Sequence, residues 1–260
     1  MTKRAMPCAM FWNNRSETRL EDGAPPLDGR REITMSEFDQ PARPDSHSSG
    51  GAASLDGALR ARRSIRKFKP EAPPREAMDA ILEAGLLAPY ASLARPSLAD
   101  CRRFFVLARE TGTWADAERL MNAEVVRLAR RVRWGVRLPS LRNRWQPFAK
   151  RVEKLAAHGF PEFGTAPRII VAAERRGHPR MQKQSLAHAV ENMWLETTAL
   201  GLGFQLFSMV QIMADHREFM ALVGLEPGAW DLDGCALGYP AQEPGERKLP
   251  ALSEVVRWLP

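Results

Sequence analysis

The residues of this chain best suited to chemistry concentrate in one stretch, Arg62-Arg63-Ser64-Ile65-Arg66-Lys67-Phe68, where four of seven residues are cationic. Forked guanidinium donors around a hydroxyl suit a phosphate and the polar edge of a ligand. Taken alone, the stretch reads at least as well as a solvated basic helix end. A second basic pair, Arg247-Lys248, follows the polar loop Gln242-Glu243-Pro244-Gly245-Glu246 near the far end of the chain. Other reactive types are scattered. His158, His178 and His188 have no partner at metal-ligand spacing, and His188, on a long helix, is expected as a core or interface residue. Glu191 and Glu196 read as surface or interface charges, and Tyr90 as a packed loop aromatic. Cys8, Cys101 and Cys235 are odd in number and far apart, which argues against a disulfide framework or a metal site and for a reducing cytoplasm. Cys101 and Cys235 read as small buried hydrophobes. The chain has no GxGxxG and no Walker-type loop, so the usual nucleotide folds are not supported.

A chain of 260 residues with 44% hydrophobic residues can bury a sizeable core. No apolar run reaches the length of a membrane span, and the basic N-terminus lacks the apolar centre of a secretory signal. The net charge of +7 is uneven. Residues 102–154 carry 14 Lys/Arg against 5 Asp/Glu, whereas residues 1–50 carry 7 against 8. A local excess of this kind is weak support for a nucleic-acid protein. Its aromatic residues are Trp134, Trp145, Phe148 and Phe160. A solvated helical cap with aromatic anchors fits best, because arginine stems cover apolar surface while their heads stay wet. An anionic membrane surface or acidic partner comes next, and nucleic acid last.

The elements that must position the basic stretch follow from punctuation and periodicity. Residues 1–54 form a disordered leader, rich in Asp, Glu, Pro, Gly and Ser, with Met35 as an alternative start. Residues 55–66 make a short helix capped by Ser54, with Leu55, Leu59 and Ile65 on one side. A helix from Pro74 to Ala88 buries Met78, Ile81, Leu82 and Gly85. Residues 103–108 and 166–173 read as strands, with a basic helical insertion at about 111–160 between them. The strongest helix spans about 185–200, where Leu186, Val190, Met193, Thr197 and Leu200 recur at helical spacing and Gly201 ends it. Residues 204–210 read as a strand or extended turn, 216–223 as a short helix, 234–240 as the last strand, and 253–259 as a short amphipathic run. Without regular βαβ alternation the class is α+β, a mostly antiparallel central sheet flanked by helices.

These features, in this order, resemble the FMN-dependent nitroreductase family. The resemblance rests on Arg62–Phe68, on Ile81-Leu82-Glu83-Ala84-Gly85-Leu86-Leu87-Ala88-Pro89, on Glu191-Asn192-Met193 running into Gly201-Leu202-Gly203, and on Leu237-Gly238-Tyr239-Pro240-Ala241 followed by Arg247-Lys248. It covers about residues 55–110 and 165–260. It implies a homodimer with FMN in clefts at the dimer interface. By the same resemblance, Arg62, Arg63, Ser64 and Arg66 hold the flavin phosphate, ribityl chain and pyrimidine edge. Arg247, with Lys248 as a lesser candidate, closes on the phosphate. Ser208 and Met209, with Phe207 beside them, lay their backbone along the isoalloxazine. The departures lie in the loop after the second helix. Leu93 stands where the family carries an Asn that bonds the flavin ring, Arg95 takes a Gln place and Ser97 a Trp place.

Two functions are therefore expected. One is an FMN oxidoreductase taking hydride or electrons from NAD(P)H to a small conjugated or aromatic acceptor. The alternative is a degenerate member of the family that keeps the fold as a binding or regulatory module, associated with a membrane through its basic segment.

Overall fold

A computed structural model describes residues 54–91, 97–137 and 139–259. The expected leader, and Leu93 and Arg95 of the loop, lie outside the described residues. Its centre is a four-stranded antiparallel sheet in the order β1-β2-β4-β3, formed by β1 (Arg102–Ala108), β2 (Arg168–Arg175), β3 (Gly203–Leu206) and β4 (Trp230–Gly238). Helices α1 (Leu55–Ala61), α2 (Arg75–Leu86) and α3 (Leu98–Cys101) precede β1. Helices α4 (Gly112–Gly135), α5 (Pro139–His158) and α6 (Pro161–Thr165) separate β1 from β2, and α7 (Gln182–Ala199) separates β2 from β3. A 3-10 turn (Ser208–Met213) and α8 (Arg217–Leu222) lead to β4, and α9 (Leu252–Val255) closes the order.

The central strands are buried on both faces, because side chains alternate across the sheet and each face carries a helical layer. On one face Ile170 and Ala172 of β2, with Cys235 and Leu237 of β4, pack against Met78 and Ile81 of α2 and Leu186, Val190 and Met193 of α7. On the other, Ile169, Val171 and Ala173 meet Leu120, Met121 and Val125 of α4, Val152 of α5 and Phe219 of α8. Helices α2 and α7 pack closely at Gly85: a Cβ there would come within 2.9 Å of the Met193 side chain and of the Phe104 ring. An arginine on the sheet fixes the end of α2. Arg102 Nε and Nη2 donate to Glu174 Oε1 at 2.7 and 2.6 Å, with both side chains fully buried. Arg102 Nη1 donates to the Gly85 and Ala88 carbonyls, both at 2.9 Å, and Nη2 to the Pro89 carbonyl at 3.3 Å.

Several expectations are corrected. The first helix stops at Ala61, and its buried residue is Ala58, while Leu55 and Leu59 are exposed. Ser54 does cap it, accepting from Gly57 N at 3.2 Å. The basic insertion contributes core residues from both long helices, so it is a wall of the fold as well as a solvated cap. Its aromatic residues divide. Phe160 is buried, but Trp134, Trp145 and Phe148 are exposed, with the Arg137 guanidinium over the Trp134 ring. His188 is exposed on α7, so of its two expected places, core or interface, the core is excluded. The last strand begins at Trp230, four residues earlier than expected. After α9 the C-terminal run is non-helical, with Trp258 and Leu259 exposed. Cys101 and Cys235 are both fully buried, as their reading as small hydrophobes requires.

Candidate functional site

The basic stretch lies against the sheet as an extended segment. Arg62 leaves the helix at φ −51°, ψ 122°. Ile65 N then donates to the Phe204 carbonyl at 2.9 Å, and Ser64 makes a parallel bridge to Phe204. Phe68 bridges Pro240 in antiparallel fashion, Lys69 N donates to the Tyr239 carbonyl at 2.8 Å, and Ala241 N donates to the Lys67 carbonyl at 3.0 Å. Ile65 and Phe68 point into the core and Ser64 and Arg66 stay accessible, so the charge collects outside while two apolar pegs hold the backbone. Gly203 makes this approach feasible, since a Cβ there would lie 2.8 Å from Ile65 Cγ2.

Three guanidiniums meet where the two ends of the described chain come together. Arg62 Nε pairs with Glu191 Oε1 at 3.1 Å, and its guanidinium lies 4.3 Å above the Trp194 ring. Trp194 stacks in turn on Phe204 and donates to the Arg63 carbonyl at 3.2 Å, so α7 braces the basic segment from below. Arg63 donates to the Arg60 and Arg62 carbonyls at 2.6 and 2.9 Å and to the Gly245 carbonyl at 3.3 Å. Arg247 donates through Nη2 to the Arg62 carbonyl. Desolvation, followed by the like charges of Arg62 and Arg63, lowers the Arg247 pKa against the opposing pull of Glu191. Beside it a cavity of about 350 Å³ is lined by Arg63, Ser64, Arg66 and the loop 242–245.

Arg66 also lines a second cavity of about 370 Å³, together with Met209, Phe160, Gln205, Glu162 and three basic residues of α5. The sequence-predicted residues thus fall into two adjoining groups. Arg63, Ser64 and Arg66 line the first cavity, Arg62 and Arg247 belong to the arginine cluster beside it, and Met209 joins Arg66 at the second. Ser208 starts the 3-10 turn and bonds Asp233, a half-buried carboxyl whose pKa is raised chiefly by desolvation. The Phe207 side chain is buried, packed edge-on against Phe160 and Phe163, so only its backbone can serve a ligand. Lys248 is exposed. A larger groove of about 710 Å³ between α4 and α5, lined by Arg133, Arg137 and Lys150, contains none of the predicted site residues.

Sequence reasoning missed Glu191 and Trp194, which grip Arg62, and Glu162 and Gln205 in the second cavity. Spacing offered one clue for the first pair, a three-residue step that puts both on one face of α7. For Gln205 the clue was a polar residue inside the apolar run Phe204–Val210. Among the described residues no group of His, Cys, Asp and Glu could hold a metal ion.

An extended basic segment is thus clipped to the edge of an antiparallel sheet and faces a basic C-terminal loop, with a cavity of about 370 Å³ alongside. The chain belongs to the nitroreductase family, whose profile matches residues 59–239. The solved structures it resembles include a nitroreductase with bound FMN from Bacteroides fragilis, at 17% identity and TM-score 0.58, covering 79% of this chain and 98% of that one. A BluB-like flavoprotein from Clostridium difficile matches at 19% identity and TM-score 0.58, over 80% and 99%. An iodotyrosine deiodinase bound to FMN and 3-iodo-L-tyrosine matches at 21% identity and TM-score 0.55, over 80% and 100%. A search of the curated proteins found no match. The fold is therefore the nitroreductase fold, with its helices and antiparallel sheet as expected.

Proposed function

We propose that this chain is an FMN-dependent oxidoreductase that passes hydride or electrons from NAD(P)H to a small conjugated or aromatic acceptor. The observation that carries this reading is the cluster of Arg62, Arg63 and Arg247 beside a cavity lined by Arg63, Ser64 and Arg66. Clustered guanidiniums whose mutual repulsion is felt at Arg247 suit a phosphate dianion, which accepts several forked donors at once. The adjoining cavity fits the ring of the same cofactor: it has one apolar wall at Met209 and Phe160, a cation at Arg66, and buried polar oxygens in its floor. FMN, when bound, supplies the hydride and electron chemistry. The protein residues hold the phosphate, orient the ring through Arg66 and the backbone at Ser208 and Met209, and shape access for the acceptor.

The neighbours with bound FMN and the family membership support this reading. The site is completed in a homodimer, as the family resemblance implies, and the odd number of cysteines fits a reducing cytoplasm. Among the described residues no helix is long and apolar enough to cross a membrane. The test is the visible spectrum of the purified protein and titration with FMN, followed by anaerobic reduction with NADH and NADPH. Arg62→Ala weakens FMN binding by about tenfold or more, the range for a hydrogen bond to a charged group. Arg247→Ala weakens it in the same direction. A folded protein that is colourless and fails to bind added FMN refutes the proposal and leaves the degenerate binding module.

A further inference from the structure

The cavity beside Arg66 has a polar floor. Glu162 enters it from the first turn of α6 and Gln205 from β3, and Gln205 Nε2 donates to Glu162 Oε1 at 2.6 Å. The two residues are 6% and 7% exposed. After that bond each keeps one buried oxygen without a partner, Glu162 Oε2 and Gln205 Oε1. Buried polar atoms in folded proteins are almost always satisfied, and an orphan costs stability. Two orphans on one hydrogen-bonded pair, in the wall of a cavity and not in sealed core, mark a place where a ligand supplies the missing partners.

The chemistry of that ligand follows from the pair. Burial pushes the Glu162 carboxyl upward, against the opposing pull of its own backbone N–H, Arg151 and Arg66. A protonated Glu162 accepts at Oε1 from Gln205 and donates from Oε2. Gln205 has spent an amide hydrogen on Glu162 and offers Oε1 as an acceptor. The floor thus presents one donor and one acceptor. An imide edge, in which a carbonyl oxygen adjoins an N–H, presents the complementary set. Arg66 enters the same cavity and suits a second carbonyl.

Resting on the FMN reading above, we propose that Glu162 and Gln205 read the imide edge of the flavin ring: Gln205 Oε1 accepts from the imide N–H and the Glu162 carboxyl donates to the neighbouring carbonyl. Ring recognition then falls to a buried carboxyl–carboxamide pair from α6 and β3, in a chain whose loop carries Leu93 in place of the expected Asn.

The experiment uses the full chain, freed of flavin and titrated with FMN and with N3-methyl-FMN while flavin fluorescence is followed. The wild type binds FMN about tenfold or more tightly than the methylated analogue, because the methyl leaves Gln205 Oε1 buried and unpaired. Gln205→Leu abolishes this preference. Glu162→Gln keeps it, since an amide N–H replaces the carboxyl donor. The two chains differ in pH response. Wild-type affinity falls as the pH rises through the Glu162 pKa and the donor is lost, whereas Glu162→Gln lacks that component. His158, Arg151, Lys154 and Arg66 face the same cavity. The pH response belongs to Glu162, so His158→Gln retains it. Equal affinity for the two flavins in wild-type protein overturns this inference alone. Failure of folded wild-type protein to bind either flavin overturns the FMN reading with it.

Discussion

Replacing Arg102 with Met removes the cation from the only fully buried ion pair found among the described residues. The Glu174 carboxyl keeps its place in the core and loses two hydrogen bonds, at 2.7 and 2.6 Å. Breaking a buried pair from one side costs about 3–5 kcal/mol, because the remaining charge has no compensation. The carbonyls of Gly85, Ala88 and Pro89 lose their donor as well, which adds about 1–3 kcal/mol. A total of about 4–8 kcal/mol is a large share of the 5–15 kcal/mol typical of a whole domain. With a urea slope of about 1–3 kcal/mol/M, the unfolding midpoint moves down by more than about 1 M. The sign of the pH response is also fixed. Burial, against the pull of Arg102, already raises the Glu174 pKa above its ordinary 4.5. A raised folded pKa gives a contribution that is full below 4.5 and is lost as the pH rises through the folded value. Without Arg102 the pKa climbs further, so the deficit of Arg102→Met is largest at neutral pH and narrows on acidification. Arg102→Met with Glu174→Leu recovers much of the loss, since an apolar pair replaces an orphaned charge. A single variant within 1 kcal/mol of wild type at pH 7, or a deficit that does not change with pH, refutes this reasoning.

Gly203→Val forces Ile65 away from β3 and should lower both stability, by about 1–3 kcal/mol, and FMN affinity; unchanged affinity would separate the basic segment from the binding site. Glu162 has a raised pKa caused chiefly by burial, so its contribution is full below 4.5 and shrinks as the pH rises through the folded value. Thermal melts across this range should show wild type losing ground against Glu162→Gln as the pH rises. Burial, reinforced by Asp233, pushes the Cys235 thiol up, and Cys101 is fully buried. Neither should react with a chromogenic thiol reagent until the chain unfolds; rapid native labelling of both, located by mass spectrometry, contradicts their placement.

The parts of the fold that were legible in the sequence are those with local causes. The spacing of Leu186, Val190, Met193 and Thr197 made α7 readable, and all four are buried. The apolar runs of β1 and β2 were readable because both strands carry side chains into packed layers. The conformation of residues 62–69 was not readable, because their partners, Phe204, Tyr239 and Ala241, are more than a hundred residues away. Local composition favoured extending the first helix, and long-range pairing overrode it. The chemistry of the same stretch was legible because charge and hydroxyl are properties of residue type. Glu162 was invisible for the opposite reason: an acid after a proline looks like surface, and only the approach of Gln205 from β3 makes it interior. Leu55 and Leu59 misled because a seven-residue helix can seat itself with one small residue, Ala58.

The seam between residues 62–69 and residues 239–247 has a consequence for the order of assembly. Arg247 reaches the Arg62 carbonyl across 185 positions, and Arg63 reaches Gly245 across 182. Closing so long a loop is entropically expensive, and such contacts form late and slow folding. On the ribosome, Arg62 emerges long before Arg247, so a growing chain carries one half of this seam until residues 239–247 have been made. A chain cut short before Arg247 can complete its central sheet and still lack the contacts that tie Arg62 and Arg63 to the C-terminal loop.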